Sequence, residues 1–134
     1  MNDLLFDTSV WIDYFRGILN PKTDLLETAL FSDWTVWICP VIIQEVLQGV
    51  RSEHEWMEVK DKFSYLERLE SDPYPLAEEA AALFRTLRQQ GTTIRKSNDC
   101  LIARYAIEAD LRVVHNDVDF DRIANGSALK VYEK

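Results

Sequence analysis

Short apolar runs alternate along this chain with longer segments whose apolar residues recur at helical spacing. That alternation predicts an α/β fold, a parallel sheet covered by helices. The runs at 2–6, 35–39, 112–114 and 129–132 read as strands. Residues 9–15 read as a short helix ended by Gly17, and 22–31 as a helix with Leu25, Leu26, Ala29 and Leu30 on one side. Pro40 opens a helix in which Ile43, Val46, Leu47 and Val50 fall at i, i+3, i+4 and i+7. Two longer amphipathic helices follow, one marked by Trp56, Val59, Phe63 and Leu66, the other by Leu76, Ala80, Leu83 and Leu87, with a turn at Asp72-Pro73-Tyr74-Pro75 between them. Beyond the polar stretch 91–98, Ile102, Tyr105, Ala106 and Ala109 mark a helix, and Phe120 and Ile123 a shorter one. With no internal repeat, low-complexity tract or linker, the 134 residues are expected to form a single domain over 1–134.

A content of 47% hydrophobic and 28% charged residues is that of a folded globule. No apolar run reaches the roughly 18 residues of a membrane span. The Met1-Asn2-Asp3 start lacks the basic residues of a signal peptide. No membrane association and a cytoplasmic location are therefore expected. Cys39 and Cys100 form no CxxC pattern and read as reduced thiols serving as small core residues. A formal net charge of -8 argues against generic coating of polyanions, so any nucleic acid must be met locally.

The stretch LLFDTSVWIDYFRG, residues 4–17, runs from an apolar strand straight into an acid, Asp7. Asp117 stands at the equivalent place after 112–114, separated by His115 and Asn116. Asp99 falls in the first turn of its helix on the stripe of Ile102 and Ala106, and Glu45 lies beside the apolar stripe of its own helix. Strand C-termini in a parallel sheet share one edge, where ligands bind, so these four acids can converge. Each also has a local reading: Asp7 and Asp117 as N-caps, Asp99 as a charge at the positive end of a helix. Clustered carboxylates repel and raise one another's pKa, and a cation relieves that repulsion. Hard oxygen donors with no His or Cys point to Mg²⁺ or Mn²⁺ in preference to zinc.

In four blocks, LLFDTSVWIDYFRG, CPVIIQEVLQG, SNDCLIARYA and VVHNDVDFDRI, the chain resembles the PIN domain, and within that family the VapC-type toxin ribonucleases of toxin-antitoxin pairs. The resemblance covers nearly the whole chain. It implies a three-layer α/β/α sandwich around a short parallel sheet, with acidic side chains binding Mg²⁺ for endonucleolytic hydrolysis of RNA by a metal-activated water. Carried over, Asp7 matches the first acid, Glu45 the second and Asp99 the third, and the fourth is Asp117 or Asp119. Thr8 and Ser9 match hydroxyl positions beside the first acid, where they would hold a metal-bound water; as helix-start residues they have an equally good local reading. The resemblance also implies a homodimer and a cognate VapB-type antitoxin lying in an apolar groove, with the helices at 22–31 and 53–69 as its expected walls.

Arg85, Arg88, Arg95 and Lys96 precede Asp99 in one basic stretch, a candidate phosphate-binding rim that can equally be a solvated helix face. Arg95 and Lys96 are the nearest substrate-binding candidates, and Arg16 is a further one. Trp11, Trp34, Trp37 and Trp56 read mainly as core. A phosphoryl-accepting receiver or an aspartate-nucleophile phosphatase would also place an Asp after strand one. The phosphatase needs a second Asp where Ser9 stands, and neither Cys39-Pro40 nor His115-Asn116 supplies the receiver's acceptor Asp or Lys. A purely structural interaction module leaves the aligned acids without a reason, and a flap-type PIN nuclease would carry long insertions.

Overall fold

The computed structural model describes residues 3–133. Its centre is β1 (Asp3–Phe6), which pairs in parallel with β2 (Thr35–Ile38) on one side and β4 (Arg112–Val114) on the other, with Leu4 opposite Val36 and Leu5 opposite Val113. β3 (Glu67–Arg68) extends the sheet beyond β2, and β5 (Lys130–Val131) extends it beyond β4. The result is one five-stranded parallel sheet in the order β3-β2-β1-β4-β5. Successive strand residues face opposite sides of a sheet. Leu4, Leu5 and Phe6 are all buried, so both faces of β1 are covered, as a parallel sheet requires. The helix-rich α/β sandwich expected from the sequence is the fold observed.

Local chemistry sets the helix starts. α1 (Thr8–Phe15) begins directly after Asp7, one residue earlier than expected, and Gly17 past its end takes a φ of +75° that suits glycine. α2 (Pro21–Leu30) opens on a capping box between Asn20 and Thr23 with Pro21 in its first turn. α3 (Pro40–Leu47) starts on Pro40, and α4 (Glu53–Phe63) on a Ser52 cap. α4 stops before Leu66, which packs beside the core from the turn that follows. α5 (Pro73–Gln89) absorbs Pro73 and Pro75 into its first turn, where prolines cost no helical hydrogen bond, so the expected turn is shorter than the sequence implied. α6 (Asn98–Ala109) and α7 (Val118–Asn125) carry the last acid-bearing segments.

The strand expected at 2–6 is seen from Asp3, and Asn2 lies outside the described residues. β3 was not foreseen: Glu67 and Arg68 are exposed and polar, and they form a strand because the edge of β2 offers Trp37 and Ile38 as partners. Of the four tryptophans only Trp11 is fully buried, stacked on Phe15 at 5.8 Å and edge-on to Phe63 at 5.1 Å. Trp34 and Trp37 are half-buried, and Trp56 is 37% exposed. Cys39 and Cys100 are buried free thiols. Among the described residues, no helix is long and apolar enough to cross a membrane.

From β1 the chain builds β2 to one side and later β4 to the other. The C-terminal ends of β1 and β4 therefore flank a topological switch point, where a parallel sheet leaves a crevice. The two ends are joined by the Asp7 N–H, which donates to the Val114 carbonyl at 3.0 Å.

Candidate active site

Asp7 leaves β1 into that crevice and is only 3% exposed. Its Oδ1 accepts from the Ser9 hydroxyl at 2.7 Å and, more weakly, from the Val10 N–H at 3.4 Å, so it caps α1 while facing the crevice. Ser9 Oγ in turn accepts from the Asn116 N–H at 3.1 Å, which ties the start of α1 to the loop after β4. Thr8 turns the other way and donates to Glu45 Oε1 at 2.5 Å. The amide of Asn98, at the first position of α6, donates to Glu45 Oε2 at 3.2 Å. Both oxygens of the α3 acid are thus held by residues from two other elements.

Asp99 is 4% exposed, and its Oδ2 is buried with no hydrogen-bond partner among the described residues. Burial pushes its carboxyl up to about 7, with the neighbouring charge of Asp117 adding to the rise, Lys96 opposing it, and Asp7 and Glu45 adding further. Asp7 is raised to about 6, again by burial first, partly offset by its hydrogen bond from Ser9. The four acids that β1, α3, α6 and the loop after β4 carry therefore feel one another. An ionised carboxylate is costly to bury without a partner.

Asp117 and Asp119 sit in different settings. Asp117 caps α7, its Oδ1 accepting from the Asp119 N–H at 3.0 Å and from Arg95 Nη2 at 2.9 Å. Lys96 Nζ stands 3.7 Å from its other oxygen. Asp119 is completely buried: Oδ1 accepts from Arg122 Nη1 at 2.6 Å, and Oδ2 accepts from both the N–H and Nε of Arg95 at 3.1 Å. Burial alone would raise this carboxyl, but the hydrogen bonds from Arg122 and Arg95 outweigh it and hold the group below its ordinary range. Beneath the loop, His115 Nδ1 accepts from the Asp117 N–H at 3.1 Å, which leaves its Nε2–H to donate to Asp121 at 3.1 Å.

Oxygens of Asp99, Asp117 and Asp119 lie within 4.8 Å of one another, a spacing that a cation can bridge. The donors are hard carboxylate oxygens, and Asp99 Oδ2 is buried without any other partner, so the residues fit a divalent cation of the Mg²⁺ or Mn²⁺ kind. Asp119 is near enough, but its oxygens are already engaged by arginines.

Of the other residues singled out from the sequence, Thr8 and Ser9 contact acids of the cluster, and Arg95 and Lys96 face Asp117. Arg88 lies over the Phe84 ring at 5.6 Å, and Arg16 caps the far end of α1 from Asp7. Asn98, His115 and Arg122 escaped the sequence reading. Each stands close to an acid in the sequence: Asn98 is adjacent to Asp99, His115 lies two residues before Asp117, and Arg122 follows Asp119 by three residues on the same helix, a spacing that could have found it.

The PIN domain family matches residues 4–126. The chain belongs to that family. Its relatives there include a VapC ribonuclease of Mycobacterium bovis and ribonuclease VapC11 of Mycobacterium tuberculosis, each 34% identical over 122 residues that cover 90% of this chain and 91% of the relative. Among solved structures, VapBC2 of Rickettsia felis bound to a promoter DNA fragment superposes with a TM-score of 0.75 at 22% identity, covering 97% of both chains. DNA-bound VapBC of Salmonella typhimurium gives 0.75 at 21% identity over 98% of both. These two likenesses establish the fold.

Proposed function

We propose that the chain, a single PIN domain over 1–134, is a metal-dependent endoribonuclease and the toxin half of a VapBC-type pair, acting in the cytoplasm. The relatives named as VapC ribonucleases support the RNA substrate. The observation that carries the reading is Asp99, a buried carboxylate with an unpartnered oxygen, raised to about 7 by burial and by acids from three other segments. A site that leaves such a group without a protein donor is built to receive a cation.

Asp7, Glu45, Asp99 and Asp117 are the residues that would hold Mg²⁺, with Mn²⁺ an acceptable substitute. When bound, the cation supplies an activated water and stabilises charge on the phosphate and leaving oxygen. The chain's own groups prepare the place. Ser9 orients Asp7, while Thr8 and Asn98 fix the Glu45 carboxylate from both sides. Burial of Asp7 and Asp99 shields these acids from bulk water, and a bound cation would favour the ionised form of Asp99 that burial disfavours. Asp119, saturated by arginines, is left out of the ligand set. Lys96, at the mouth with a side chain 62% exposed, is placed to meet a phosphate.

The same reading includes a homodimer and a VapB-type antitoxin. A groove of about 490 Å³ between α2 and α4, lined by Phe31, Trp34 and Tyr65 together with Glu58, Asp61 and Lys62, with Phe31 and Tyr65 74% and 79% exposed, suits an antitoxin segment that carries both apolar and charged residues.

The test is incubation of the purified protein with total RNA and mapping of new ends. Cleavage should require Mg²⁺ or Mn²⁺, stop in EDTA and vanish in Asp99→Asn. Cleavage that persists in EDTA rejects the proposal. Cleavage that a co-purified antitoxin does not suppress leaves a PIN nuclease outside a toxin pair.

A further inference from the structure

We propose that Asp119 and Arg95 form a relay that positions the Asp117 carboxylate for cation binding, so that Asp119 serves the site without touching the metal. The inference rests on the acid assignment proposed above. It begins from a buried charge. Asp119 is wholly buried, and every hydrogen bond to its carboxylate comes from Arg122 or Arg95. Arg95 contributes twice to the same oxygen, through its main-chain N–H and through Nε. Because a guanidinium is planar and rigid, fixing Nε also fixes the direction of Nη2. Nη2 ends on Asp117 Oδ1, the oxygen that already accepts from the Asp119 N–H. Asp117 Oδ1 is thus tied by two donors, and Lys96 Nζ stands 3.7 Å from Oδ2.

The relay also links two acid-bearing segments. Arg95 lies in the loop that leads into α6 and Asp99, whereas Asp117 and Asp119 begin α7. Pinning the Arg95 main chain to Asp119 holds these segments in register, and with them the separation of Asp99 from Asp117. Groups one step removed from a metal commonly govern its affinity in this way.

Two other roles for Arg95 fit less well. As a placeholder that leaves when a cation enters, its side chain would give up the Nε and Nη2 bonds together and leave the buried Asp119 with only Arg122 and the Arg95 main-chain N–H as donors. As a phosphate contact it would use only the N–H groups left over once Nε and one Nη2 N–H are spent on Asp119 and Asp117, so it could meet a phosphate only while still holding both acids.

The experiment measures Mn²⁺ binding to the full chain from the electron paramagnetic resonance signal of free Mn²⁺, alongside cleavage kinetics on a short RNA. The variants are Arg95→Lys, Asp119→Asn, their combination, and Asp117→Asn. Arg95→Lys keeps the charge but cannot donate from two fixed nitrogens, so it isolates geometry from electrostatics. It should weaken Mn²⁺ binding about 10-fold or more and lower kcat with KM little changed. The combined variant should be no worse than the weaker single one, because both break one relay. If Asp119→Asn does not fold, Arg95→Lys with a normal melting curve carries the test alone. Wild-type Mn²⁺ affinity in Arg95→Lys with a raised KM makes Arg95 a phosphate contact, and tighter Mn²⁺ binding makes it a competitor; either overturns the relay. If Asp117→Asn leaves Mn²⁺ binding unchanged, the acid assignment itself falls, whatever Arg95 does.

Discussion

Asp99 is almost out of reach of solvent, and one of its oxygens has no donor, so its ionised form is the costly one in the absence of a cation. The sign of the effect on stability follows directly. An acid raised in the folded state binds a proton more tightly there than in the unfolded chain, so its contribution is fully retained below the ordinary value of 3.8 and lost as pH rises through about 7. Above both values the cost is at most about 4 kcal/mol, and Asp7, raised to about 6, acts in the same direction. In EDTA the protein should therefore become less stable between pH 4 and 8, as followed by melting temperature. Asp99→Asn should flatten that decline and melt at or above the wild type at pH 8. A wild-type curve that rises across this range would show that Asp99 is not carrying an unrelieved charge.

Between elements, the site is held by short polar links. Ser9 is the clearest, donating to Asp7 and accepting the Asn116 N–H, so one hydroxyl joins α1 to the loop after β4. Removing it leaves Asp7 with less support for its charge, because that hydrogen bond opposes the rise caused by burial. Ser9→Ala should cost about 1 kcal/mol in a melting experiment. It should also move the acidic limb of the cleavage profile to higher pH, while Ser9→Thr should restore both. An unmoved limb would mean that the hydroxyl only caps the helix. Capping and site-building are not rivals at this level. Asp7 and Asp117 do receive main-chain N–H groups at the starts of α1 and α7, and those caps aim the same carboxylates into the crevice.

For the molecule as a whole, a net charge of -8 must be reconciled with the proposed RNA substrate. Arg95 and Lys96 already face the carboxylates of Asp117 and Asp119, so little net positive charge is left to meet phosphates near the acids. RNA affinity of the Asp99→Asn protein should therefore fall only gently with salt, and Lys96→Ala should reduce the log–log slope by about 0.7, the increment for one phosphate on a single strand. A slope unchanged by Lys96→Ala would remove that residue from the RNA path. The alternation of apolar runs and helical stripes was enough to read the parallel α/β architecture, because burying β1 on both faces demands consecutive apolar residues such as Leu4, Leu5 and Phe6. The positions of Asp7 and Asp117 at strand ends were legible for the same reason: strand ends are marked by where apolar runs stop. β3 was not legible, since Glu67 and Arg68 carry no apolar signal and pair only because β2 has a free edge. Nor could the sequence separate Asp117 from Asp119, two residues apart in one polar loop. That difference arises from side chains 22 and 24 residues away in the case of Arg95, whose guanidinium reaches both acids, and from the burial that leaves Asp119 no solvent. Local pattern records which way a residue faces, whereas the partner a buried charge acquires depends on which distant segment the packed core brings against it.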